Sequence, residues 1–214
     1  MATNVMDPLS AVHDEETGGT TGMEECPTGW SVQYKSVARP LDHALKRAQH
    51  TKEVPMTDKA FTTCLWFDGQ AEAAANYYIE IFKDSQLGRV SRYTEAGPGP
   101  AGTIMAVEFE LNGQKFFALN GGPQFTFNEA ISFQIHCHDQ DEVDYYWSKL
   151  SEGGEEVACG WLKDKYGLFW QVIPTVLIDM INDSDPEKAK RATEAMLAMT
   201  KFDIAALQKA HTRE

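Results

Sequence analysis

No run of apolar residues in this chain nears the roughly 18 that a helix needs to cross a bilayer, which excludes a helical membrane span. Cations are scarce: 19 Lys and Arg stand against 32 Asp and Glu, a net charge of −13. Phosphate backbones are held by patches of Lys and Arg, so nucleic acid is excluded as a partner, and an anionic membrane surface is disfavoured. Cysteine is rare too. Cys26, Cys64, Cys137 and Cys159 form no CxxC spacing, which argues against a zinc ribbon or a redox pair. They read as free thiols of a reducing cytosol. The start is not a basic stretch followed by an apolar one, as a secretory signal would be. The expected location is the cytoplasm.

What the chain has is a repeat. Leu65-Trp66-Phe67-Asp68-Gly69-Gln70-Ala71-Glu72-Ala73 lies over Ile135-His136-Cys137-His138-Asp139-Gln140-Asp141-Glu142-Val143 at an offset of 70 residues. Each copy reads as a strand, a polar turn with a Gln-x-Glu step, and an aromatic-rich helix. A fixed period marks duplicated units that complete one another's core. At 43% hydrophobic and 214 residues, the chain can build that core and carry an extension.

Residues 1–57 stand apart. Met1 to Pro27 is rich in Gly, Thr, Asp and Glu without a period, so it cannot bury enough surface to offset its ordering entropy. Pro40 to Lys52 could form a short helix through Leu41, Ala44, Leu45 and Ala48. These residues are expected to be a disordered extension, with Met56 as a natural start; the alternative is a regulatory or targeting arm. From there the pattern predicts strands at Phe61–Phe67, Leu87–Tyr93, Ile104–Leu111, Lys115–Leu119, Ile131–Cys137, Glu156–Trp161 and Leu168–Ile173. Helices are predicted at Gln70–Phe82 and Gln140–Leu150. Asn112-Gly113 is the strongest hairpin signal, because both residues suit the positive φ of a type I′ turn. Asp185 before Pro186 opens a helical tail over 185–210, and Asp203 caps a final turn. The Ala192, Ala195, Met196 and Met199 stripe reads as core or dimer packing.

The fold class is therefore α+β: two tandem βαβββ modules forming a cupped mixed sheet, at about 59–122 and 130–175, plus the tail. This plan resembles the vicinal oxygen chelate superfamily of glyoxalases, extradiol dioxygenases and bleomycin or fosfomycin resistance proteins. Four segments are more specific. They are Leu65-Trp66-Phe67-Asp68-Gly69-Gln70-Ala71-Glu72, Ala118-Leu119-Asn120-Gly121-Gly122-Pro123, Phe127-Asn128-Glu129-Ala130-Ile131-Ser132-Phe133, and Cys159-Gly160-Trp161-Leu162-Lys163-Asp164-Lys165-Tyr166-Gly167. In order, over about Lys59 to Ala210, they look like the PhnB-like branch, which often carries the label 3-demethylubiquinone-9 3-methyltransferase. The chain shows no Gly-rich strand-to-helix loop followed by an acidic residue, the pattern of a Rossmann-type methyl-donor site.

The resemblance implies a small-molecule ligand, a homodimer and, in the enzymes, one divalent metal held in the cup by His, Gln or Glu. Those ligands come from the first and last strands of each module. Strand period two assigns the positions. Leu65 and Phe67 face the helices, leaving Thr62, Cys64 and Trp66 toward the cup. Ile135 and Cys137 face the helices, leaving Ser132, Gln134 and His136 toward the cup. The four ligand positions read Thr62, Ala118, Ser132 and Gln171. A catalytic divalent ion needs several His or carboxylate donors, so no metal and no cofactor are expected. The alternative is one divalent metal near His136 and Gln171, drawing on His136-x-His138.

A metal-free cup can still bind a small aromatic molecule, since apolar walls with a few convergent polar groups make a ligand pocket. The candidates are Thr62, Cys64, Trp66, Asn120, Phe125, Phe127, Asn128, Gln134, His136, Trp161 and Gln171. Trp170 is assigned to the core by parity. Asn120-Gly121-Gly122-Pro123 reads as a tight connection in which Gly121 and Gly122 permit positive φ. Cys159 reads as a small buried residue. Most carboxylates, Glu72, Glu129 and Asp164 among them, are expected at solvated or helix-start positions. No catalytic residue is assigned. The readings left open are a binding protein, a glyoxalase- or dioxygenase-type enzyme with an atypical metal site, and a quinone-related methyltransferase.

Overall fold

The computed structural model describes residues 61–213; the expectations for residues 1–57 and Met56 lie outside them. The first module runs β1 (Thr63–Phe67), α1 (Ala71–Ile81), β2 (Gln86–Arg92), β3 (Ile104–Leu111) and β4 (Gln114–Asn120). Its sheet has the order β1-β4-β3-β2, with β1 parallel to β4 and the other pairs antiparallel. The β3–β4 hairpin turns on Asn112 (φ 47°) and Gly113 (φ 77°), the two positive φ values a type I′ turn demands.

The second module repeats the plan. It runs β5 (Ser132–Cys137), α2 (Gln140–Ser151), β6 (Glu155–Glu156), β7 (Trp161–Lys163) and β8 (Phe169–Pro174). The order is β5-β8-β7-β6, again with its first and last strands parallel. The strand expected at Glu156–Trp161 is in fact two short strands, and a loop over 157–160 separates them. The cause is backbone chirality: Cys159 and Gly160 both take left-handed φ, at 60° and 76°, which breaks the pleat. Asp139 caps α2 by accepting from the Glu142 amide, while the Glu142 carboxylate accepts from the His138 amide. This reciprocal pair resembles a capping box.

The tail begins earlier than its sequence suggests. Pro174 ends β8, and α3 (Thr175–Ile181) follows at once. Asp185 then caps α4 (Pro186–Leu197), and Asp203 caps α5 (Ile204–Thr212). Ala192 is buried in a small core with Leu177, Met180, Phe202 and Leu207, against which Ala195, Met196 and Met199 pack. Ala192, Ala195 and Met196 of α4, with Met199 just beyond it, thus pack in this core.

Both modules turn their helix-bearing faces into one shared core. Tyr78 of α1 stacks on Phe109 of its own sheet and lies 5.5 Å from Trp170 of the other. Phe116 meets Phe133 edge-on across the modules. Tyr145 of α2 donates to the Ile81 carbonyl, and Tyr77 of α1 to that of Lys149. The second face of each sheet points away from this core; on the second sheet Ile173 of that face packs against the tail helices.

Candidate functional site

Register fixes what each open face presents. On the first sheet Cys64, Phe117 and Glu108 lie in one row across β1, β4 and β3, with Trp66 and Leu119 in the next. A groove of about 720 Å³ runs over this face, lined among others by Thr62, Cys64, Glu108, Glu110, Lys115 and Phe117. Partial burial pushes the Cys64 thiol above its ordinary pKa, away from the thiolate. On the second sheet Gln134, Gln171 and Trp161 form the matching row across β5, β8 and β7. The Gln134 amide donates to Gln171 Oε1 at 3.2 Å, and Gln171 Nε2 donates to Ser132 Oγ at 2.8 Å. His136 lies on the same face, exposed, opposite Ile173.

The expected ligand-facing positions therefore separate by module. Thr62 and Cys64 share the first sheet's groove. Gln134, His136, Trp161 and Gln171 share the second sheet's open face, and none of these four lines that groove. Trp66 is half-buried; its indole donates to the Gly122 carbonyl at 2.8 Å, and Phe125, 65% exposed, packs edge-on against it. Asn120 lines a separate cleft of about 620 Å³ with Asp68, Glu72, Tyr93 and Gln124. Its amide is already committed: Oδ1 accepts from the Ala71 amide and Nδ2 donates to the Ile104 carbonyl. Phe127, expected as a pocket wall, instead packs edge-on against Phe67 at the core. Asn128 accepts from the Ala130 amide in the connection between modules.

Three further expectations change. Ala118 is fully buried and pairs with Leu65 and Val107 on the helix side. The first-module counterpart of Gln171 is Phe117, since they stand opposite the repeat-equivalent residues Gln134 and Cys64. Gly122 has φ 98°, but Gly121 does not have positive φ. Gly121 is needed for space, because a Cβ there would overlap the Trp66 ring. Asp164 is the largest departure: it is 2% exposed. It accepts from Tyr78 Oη and Trp170 Nε1, both at 2.8 Å, and from the Tyr166 and Leu168 amides. Desolvation raises its pKa, and those four donors partly oppose the rise. Asp164 and Gly167 occupy the first and fourth positions of a turn closed by the Gly167 amide on the Asp164 carbonyl.

The residues that sequence reasoning missed are Glu108, Glu110, Lys115 and Phe117. Period two along Val107-Glu108-Phe109-Glu110-Leu111 was enough to find the acidic pair. The four positions equivalent to superfamily metal ligands, Thr62, Phe117, Ser132 and Gln171, contain no His or carboxylate, and Gln171 Oε1 already accepts from Gln134. This donor set does not fit a divalent ion. Among the described residues no three His, Cys, Asp or Glu converge as a metal site, and no helix is long and apolar enough to cross a membrane.

Two βαβββ modules, each with its own mixed sheet, define the class: a vicinal oxygen chelate fold. Residues 59–173 match the family described as 3-demethylubiquinone-9 3-methyltransferase, and the chain belongs to it, in its PhnB-like branch. A PhnB protein from Bacillus cereus is 36% identical, over 55% of this chain and 100% of that one, with a TM-score of 0.51. Protein PA1353 from Pseudomonas aeruginosa is 18% identical, over 55% and 98%, at 0.46. The fosfomycin resistance protein FosX from Mesorhizobium loti is 10% identical, over 55% and 91%, at 0.41. No curated protein matches.

Proposed function

We propose that this chain is a cytoplasmic PhnB-like protein that binds a small planar aromatic molecule on its open sheet faces, without a resident metal. The row Gln134–Gln171–Trp161 carries the reading. An indole offers a stacking surface, and two amides, Gln134 bonded to Gln171 and Gln171 to Ser132, offer donors and acceptors at its edge. Because each chain turns its open faces away from its core, the first sheet's groove needs a facing wall. A second copy can supply it by laying its Gln134–Gln171–Trp161 row over the Cys64–Phe117–Glu108 row. A closed two-fold dimer would use both pairs of faces.

The family description names a demethylubiquinone, which guides the choice of probe. Titration of chelator-treated protein with 2-hydroxy-1,4-naphthoquinone, followed by calorimetry, is expected to give saturable binding that Trp161→Ala and Gln171→Leu weaken. Light scattering is expected to give about twice the chain mass of 23.9 kDa. A folded monomer that binds no probe would overturn the reading.

A further inference from the structure

Trp161 opens a strand of three residues, and its outer neighbour β6 has only two. Strands this short do not hold a side chain in place by their own ladder. The corresponding row position of the first module, Glu108, sits inside the eight-residue β3 and pairs with Phe117 of β4. Within the module, the Val157 amide donates to the Trp161 carbonyl and the Val172 amide to that of Gly160; further support comes from the tail. The residues leading into it, Cys159 and Gly160, are both left-handed, and left-handed φ is costly for the non-glycine residue. Their amides leave the module: Cys159 donates to the Met199 carbonyl at 2.7 Å and Gly160 to that of Thr200 at 2.8 Å. These acceptors belong to the loop between α4 and α5, beyond the family match at residue 173.

That loop is locked to the module by three further contacts. Phe202 is 2% exposed and lies so close over Gly160 that any side chain there would overlap its ring. The Gln140 amide grips the loop on both sides of Asp203, donating to the Phe202 carbonyl and accepting from the Ile204 amide. Lys201 pairs with Asp144 at 2.6 Å. In the first module Gln70, the repeat partner of Gln140, makes no such capping bond.

We propose that the C-terminal helices act as a clasp that sets Trp161 beside Gln171, with Phe202 and Gln140 as positioning residues for the ligand face. The importance of that face rests on the function proposed above; the positioning does not. The test labels the full-length protein with 5-fluorotryptophan and assigns the Trp161 resonance through Trp161→Phe. In Phe202→Ala and Gln140→Ala the Trp161 resonance is expected to shift and broaden, while Trp147 and Trp170, buried in the shared core, keep theirs. Phe202→Leu is expected to restore most of the signal. Affinity for 2-hydroxy-1,4-naphthoquinone should fall roughly tenfold, the equivalent of about 1.4 kcal/mol. An unchanged Trp161 resonance in folded Gln140→Ala overturns the clasp, and that variant decides the matter if Phe202→Ala does not fold. A Trp161 resonance that moves in a protein binding no probe upholds the clasp and rejects the ligand reading.

Discussion

Replacing Asp164 by alanine takes one acceptor from four donors, two of which, Tyr78 and Trp170, are buried aromatic groups from different modules. Leaving a buried donor unsatisfied costs about 1–3 kcal/mol, and urea unfolding of Asp164→Ala is expected to show a loss of at least that size. The pH dependence has a definite sign. Burial raises the folded-state pKa above the unfolded one, so the folded chain holds the proton more tightly between the two values. Stability from this group is fullest below the unfolded value and declines as pH rises through the folded one. The margin of wild type over Asp164→Asn should therefore shrink with rising pH; a margin that grows would show that the hydrogen bonds outweigh burial. Gly121→Ala is a second test, since its Cβ must displace the Trp66 ring. Overpacking of this kind costs about 1–3 kcal/mol, read as a lower melting temperature with altered indole emission. None of this was legible from Asp164 itself, because a carboxylate in a polar turn looks solvated until its partner Tyr78, far upstream, is placed above it.

At the scale of elements, α1 depends on its neighbour strand. Its own N-cap, Gln70, supplies no side-chain acceptor, and Asn120 at the end of β4 caps the Ala71 amide instead. Asn120→Ala is expected to cost about 1 kcal/mol and to fray the first turn of α1, visible as faster amide exchange there and not in α2. Strand parity was readable wherever apolar and polar residues alternate: Leu65 and Phe67 against Cys64 and Trp66, Ile135 and Cys137 against Gln134 and His136. It failed at Phe116-Phe117-Ala118-Leu119, where every side chain is apolar and nothing in the pattern chooses a face. A slip of one residue there exchanges Ala118 for Phe117. The tail's caps, Asp185 and Asp203, were legible because a local hydrogen bond makes them. The split between β6 and β7 was not, because left-handed Cys159 and Gly160 donate to carbonyls some forty residues downstream, at Met199 and Thr200 respectively.

At the scale of the molecule, the shared core couples the modules. Phe133, Trp170 and Tyr146 pack on Phe116, Tyr78 and Phe82, respectively or in combination. Denaturant unfolding of residues 58–214 should accordingly be one cooperative transition, with circular dichroism and tryptophan emission giving the same midpoint. Two separated midpoints would mean that the modules are independent. The duplication was plain in the sequence, as was the alternation that defines each face. Which faces meet was not, because β1, β4 and β8 carry aromatic residues on both sides, able to serve as either wall.

The tie between Tyr78 and Asp164 also orders events on the ribosome. The first sheet has all its strands once Asn120 has emerged, yet the aromatic face of α1 still lacks Trp170, and the Tyr78 hydroxyl lacks its acceptor. A nascent chain paused between the modules thus presents a finished sheet beneath an uncovered helix. Its covering arrives only with the Asp164 turn and Trp170 that follows it.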